Sequence, residues 1–165
     1  MRFWSVCWLL PVFLVACGDS GLGSIVPSVP SDQGAVSLTA SIPVAMFNVV
    51  NGAFGARVEG GFRLDLALGA EASGPTSVTV GNFSLQTEAG EPIIEVLKVE
   101  TPRAFPLQMN QGDEKTVNFN VAEDGVDQTK LCAGKLRVVG SVQDSLSATT
   151  KPVQSALVAL ACGAT

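Results

Sequence analysis

Along most of this chain the apolar residues recur at every second position, the spacing of a strand with one buried face, and not at the three-to-four spacing of a helix. Val36, Leu38, Ala40 and Ile42 alternate with Ser37, Thr39 and Ser41. Val58, Phe62, Leu64, Leu66 and Leu68 alternate with Arg57, Glu59, Arg63 and Asp65, and Val117, Phe119 and Val121 with Asn118 and Asn120. In Val78–Leu85 the apolar parity switches across Gly81-Asn82, which predicts a β-bulge there. Ile93–Glu100, Leu131–Val142 and Val153–Ala161 bring the strand-like runs to seven, divided by turns bearing Gly, Pro and Asp. Strands that each bury one face must pair into layers. The expected fold is therefore all-β, a two-sheet antiparallel sandwich of about seven strands over residues 35–165, with a small β-barrel as the alternative.

What precedes residue 35 has a different character. Residues 1–16 read Met-Arg, an apolar run from Phe3 to Val15, then Ala16, the parts of an export signal. The run of 13 residues, interrupted by Pro11, is shorter than the roughly 20 that a transmembrane helix requires. Leu14-Val15-Ala16-Cys17 resembles the lipobox of bacterial lipoproteins. The resemblance implies that the signal is cleaved after Ala16 and that Cys17 carries acyl chains, attaching the protein to a membrane. By the same resemblance, Gly18 rather than Asp after the cysteine implies the outer membrane of a Gram-negative cell. Residues 17–34 are then a lipidated tether, its Gly, Ser and Pro offering little to a core. Within the folding part, Val99, Pro102, Phe105-Pro106-Leu107 and Gly112-Asp113-Glu114 running into Thr116-Val117-Asn118-Phe119 resemble bacterial immunoglobulin-like envelope domains. That likeness implies an immunoglobulin-like sandwich.

Composition narrows the chemistry. The 165 residues include no His and no Tyr, which removes Ser-His-Asp and Cys-His couples and imidazole metal ligands. Gly18-Asp19-Ser20-Gly21 superficially matches hydrolase serine loops that need a histidine. Loss of residues 1–16 would also remove both Trp, leaving six Phe as the aromatics of 149 residues. The net charge of −5 disfavours a phosphate backbone, so no nucleic acid is expected as partner. Acids gather at Glu88 with Glu91, Asp113 with Glu114, and Glu123-Asp124 with Asp127. None has the spacing of a calcium loop, although Glu123, Asp124 and Asp127 are the best of the three; they read as solvated turns. Neither a metal, a cofactor nor a catalytic residue is expected, and the protein is read as non-enzymatic.

Two features remain. If Leu131–Val142 and Val153–Ala161 form a hairpin about Ser147, then Leu136 faces Val158, Val138 faces Ala156 and Cys132 faces Cys162. In an exported compartment this predicts a Cys132–Cys162 disulfide. The same register turns Val139, Val153, Leu157 and Ala159 away from the core. The connection Pro43–Phe54 is unusually apolar for a loop. Met46, Phe47, Val49, Val50 and Phe54 are candidates for a partner patch at the pole opposite the tether, near the Glu88 and Glu123 turns. The function expected is a lipid-anchored interaction or adhesion module of an envelope assembly, of secretion or surface-motility type, held to the membrane by Cys17 and contacting another envelope protein. The alternative is a periplasmic carrier holding a lipid or other apolar ligand inside the sandwich or barrel, which would need an enclosed cavity.

Overall fold

A computed structural model describes residues 37–52 and 55–162; Cys17, the signal, the tether and Phe54 lie outside them. In chain order the described elements are β1 (Leu38–Gly52), β2 (Gly55–Leu68), β3 (Thr76–Val80), β4 (Ser84–Thr87), β5 (Pro92–Ile94), β6 (Val99–Glu100), β7 (Leu107–Met109), β8 (Glu114–Val126), the helical turn α1 (Gln128–Leu131), β9 (Lys135–Asp144), β10 (Thr150–Gln154), β11 (Val158–Ala159) and β12 (Ala161–Cys162). The first sheet has the order β12-β1-β2-β8-β6. In the second, β9 is central, with β3 and β4 along one side, β10 and β11 along the other, and β7 and β5 beyond β3 and β4. The fold is an all-β sandwich of two separate sheets, which decides between the sandwich and the barrel that alternation alone left open.

The alternation also dictates what fills it. β2 and β8 pair antiparallel with Phe62 opposite Phe119 and Leu64 opposite Val117, so the apolar set of each strand shares the inner face. Phe62, Phe83 and Phe119 form a buried triangle with ring centroids 4.7 to 5.1 Å apart, and Phe105 stacks beside Phe119 at 6.0 Å. Gly140 makes this possible: a Cβ there would meet the Phe83 ring at 2.2 Å. A second close approach lies in β2, where Gly60 has φ +151° and a Cβ would meet the Met46 carbonyl oxygen at 2.1 Å.

Several expectations need correction. Pro43–Gly52 is no loop: β1 runs straight through it for 15 residues and pairs with β2 as far as Gly52 opposite Gly55. Ile93–Glu100 is not one strand, since β5 pairs with β4 in the second sheet and β6 with β8 in the first, the chain crossing between layers at residues 95–98. Leu131 ends a helical turn whose N-cap is Asp127, and its side chain is buried. The bulge near Gly81 is present: Val80 opposes Val142 but Ser84 opposes Val139, one extra residue on the β3–β4 side.

The final hairpin matches expectation in one half and slips in the other. Val158 faces Leu136, as predicted, and Cys132 and Cys162 form the disulfide, their Cα atoms 6.2 Å apart. Nearer the turn, Val153 faces Gly140 rather than Ser141. The extra residue lies near Ser155, whose amide donates to the Val138 carbonyl while its Oγ accepts from the Val138 amide. A one-residue slip exchanges the faces of a strand, so Val153 points inward and is buried, against the expectation of an outer position. From Ser155 the chain also tracks β1 in parallel: Ile42 opposes Ser155, Asn48 opposes Ala161 and Val49 opposes Cys162, at one constant offset of 113. The C-terminal segment thus laces the two sheets together along the β1 edge.

Candidate functional site

A strand of 15 residues with one face buried must show its other face, and β1 divides the predicted patch accordingly. Phe47 and Val49 point into the sandwich and are 3% exposed. They belong to the core, which corrects their assignment to a surface patch. Met46 is 71% exposed and Val50 39%, with Val44 at 39% joining the same outer row. Met46 stands out because its cross-strand neighbour is Gly61, which has no side chain to lean on it. The row is bordered on β2 by Arg63, Glu59 and Arg57, opposite Val44, Asn48 and Val50.

Those charges satisfy one another. Arg57 pairs with Glu59 at 3.0 Å and reaches Asp124 at 3.8 Å, and Arg63 pairs with Asp65 at 3.2 Å. All are well hydrated pairs that contribute little to stability. Their effect is to leave an apolar row on β1 beside a locally neutralised ribbon. The Arg57–Asp124 approach places the β1–β2 tip beside the β8 end, and Arg137 on β9 donates to the Glu88 carbonyl at 2.7 Å. The hairpin tip thus lies at the end of β8 as the strand count expects, but Glu123 and Asp124 are within β8, paired with Val58 and Arg57, and not in a turn.

The acids considered for calcium are engaged elsewhere. Asp127 Oδ1 accepts from the amides of Thr129 and Lys130 and caps α1. Glu123 accepts from Lys98 Nζ at 2.9 Å and from the Lys98 amide at 3.3 Å. The Glu123 hydrogen bond, helped by its charge, raises the Lys98 ammonium above the ordinary lysine range. Among the described residues no group of three or more acidic, Cys or His side chains is placed to hold a metal ion.

One group was not anticipated. Asp144 is 2% exposed, on the inward parity of Val138 and Val142 at the end of β9. Its carboxylate accepts from the amides of Leu146 and Ser147 at 3.0 and 2.8 Å and from Ser147 Oγ at 2.7 Å. Burial works to raise its pKa, but these bonds, with the positive charge of Lys151, outweigh it and hold the carboxyl below the ordinary aspartate range. The Asp-Ser-Leu-Ser run is the sequence signal for such a turn-capping acid. Asp144 itself, with Ser77, Thr79, Gln143, Ser145 and Ala148, lines an open depression of about 220 Å³. Comparison with protein-family models, with curated protein sequences and with solved structures finds no match to this chain.

Proposed function

We propose that this protein is a lipid-anchored component of the cell envelope, held through acylated Cys17 in the outer membrane, that works by contact with another envelope protein and not by catalysis. The observation that carries this reading is the outward row Val44, Met46 and Val50 on β1. A long unbranched side chain left 71% exposed beside a glycine adapts its shape to an apolar partner surface. The aromatic cluster beneath the same strands supports a surface role over the carrier, because Phe62, Phe83 and Phe119 occupy the space between the sheets that an apolar ligand would need.

The test is photo-crosslinking in intact cells from a benzoylphenylalanine placed at position 46, with position 150 on the second sheet as control. A discrete protein adduct from 46 and none from 150 is expected. Equal, diffuse labelling from both positions would sink the interaction reading. The anchor has its own test: mass spectrometry of the mature protein should find acyl chains on Cys17, and a free thiol there removes the membrane attachment from the proposal.

A further inference from the structure

The two outer faces of the sandwich differ in kind. On the first sheet the exposed rows carry Arg57, Glu59, Arg63 and Asp65. On the second, β3 and β7 turn out Ser77, Thr79 and Gln108, while β9 and β10 turn out Ser141, Gln143 and Thr150. Neutral hydroxyls and amides cover the part of this face around Gln143, whereas Lys135 and Arg137 stand on the same outward row toward the other end of β9; a solvated surface ordinarily mixes charges of both signs throughout. The nearest charges are occupied: Lys151 on β10 donates to the Leu38 carbonyl at 2.6 Å, Arg137 donates to Gln154 Oε1 and to the Glu88 carbonyl, and the Asp144 carboxylate at the edge of the depression is closed by its own turn.

We infer that this face, centred on the depression beside Thr79 and Gln143, binds a neutral polyhydroxylated chain, a glycan without carboxylate or phosphate groups. Its amide nitrogens are committed internally, Gln143 to the Ala148 carbonyl at 3.1 Å and Gln108 to Ser77 Oγ at 3.1 Å. Each bond orients an amide whose oxygen stays available to accept from a ligand hydroxyl. Thr79, Gln143 and Thr150 form one row across three strands, spaced by the strand separation of about 4.8 Å, a repeat comparable with a single sugar ring. An anion would find no open cation there, and the chain's net charge of −5 repels it. Uncharged hydroxyls are the cheapest polar groups to desolvate on both sides, and recognition here is by hydrogen bonding without aromatic stacking. The face lies on the sheet opposite Met46, so this inference stands apart from the protein contact proposed above.

The experiment titrates the full chain in detergent with maltohexaose and with cellohexaose, following side-chain amide resonances by NMR. Expected are concerted shifts of Gln108 and Gln143 with at least one hexasaccharide, saturating in the range of about 1 to 10 mM. The double variant Thr79→Val, Thr150→Val keeps the β-branched shape and removes two hydroxyls; it should bind about ten-fold more weakly. Met46→Ser should bind as the native chain does. No shift at these amides with either sugar, equal binding by the double variant, or a protein adduct to a photoprobe at position 79 would each overturn the assignment.

Discussion

At the scale of single residues, the described structure depends on two positions that carry unlike constraints. Gly60 has a left-handed φ of +151° and lies against the β1 backbone, where a Cβ would meet the Met46 carbonyl at 2.1 Å and the Phe47 Cα at 2.8 Å. Backbone cannot step aside as a flexible side chain can, so Gly60→Ala should cost about 3 kcal/mol or more. Urea unfolding reads this as a lowered midpoint, and an unchanged midpoint would mean that the strands separate freely there. Asp144 acts through hydrogen bonding. In Asp144→Asn the amide oxygen can still accept, but the acceptor for Ser147 Oγ becomes a donor; the expected loss at pH 7 is about 1 to 2 kcal/mol. Its folded-state pKa is depressed, so the unfolded chain binds the proton more readily and native stability rises with pH through the acid range. The Asp144 contribution is complete above its unfolded value of about 3.9 and is lost as the pH falls through the folded value. Unfolding midpoints of the native chain between pH 5 and 2 should therefore fall more steeply than those of Asp144→Asn. Parallel curves would deny Asp144 that role.

At the scale of elements, the C-terminal segment decides how the sheets are joined. β12 is two residues long, and its recorded pairs are with Asn48 and Val49 on β1. Two such pairs do not hold a strand by themselves; the disulfide ties its end to the C-cap of α1 and restricts the unfolded chain across a separation of 30 residues. Cys132→Ser with Cys162→Ser should lower stability by about 3 to 4 kcal/mol in the loop-entropy view and let the amides of residues 161 and 162 exchange quickly while those of β2 and β8 stay protected. Protection at 161 and 162 in the double variant would show that pairing alone suffices. This region also marks where reading from sequence succeeds and fails. Alternation located β2, β8 and the first part of β1, to Ile42, because each buries one face in strict period; past Pro43, where the register of β1 shifts, the strand reads as a loop. The parity switch at Gly81-Asn82 located the bulge. The slip near Ser155 was hidden: Ser155 follows Gln154 in a stretch whose apolar pattern fits either register, and the choice rests on a polar exchange between Ser155 and Val138. The split of Ile93–Glu100 between sheets was equally invisible, since one crossover reads locally as one strand. For the candidate patch the needed information was present, because period two already divides Met46 and Val50 from Phe47 and Val49.

At the scale of the whole molecule, β1 serves two ends at once, one face closing the core and the other meeting solvent. These roles separate by substitution on opposite sides of the sheet. Phe119 is 2% exposed and stacks on Phe62 and Phe105; Phe119→Ala removes a ring from a close-packed aromatic cluster and should cost about 3 to 5 kcal/mol. Met46→Asp changes a side chain already 71% in water, so its effect on stability should stay within about 0.5 kcal/mol. Function should respond in the opposite order. A carboxylate in the middle of an apolar contact is left without a partner on desolvation, so Met46→Asp should abolish adducts formed in cells from a benzoylphenylalanine at position 50, at unchanged protein level. Phe119→Ala, studied where most molecules are still folded, should lower the level of the protein and leave the adduct per molecule unaltered. If instead Met46→Asp preserves the adduct while Phe119→Ala removes it in folded protein, the interior is the contact that matters. The β1 face would then be ordinary solvated surface, and the carrier reading would take its place.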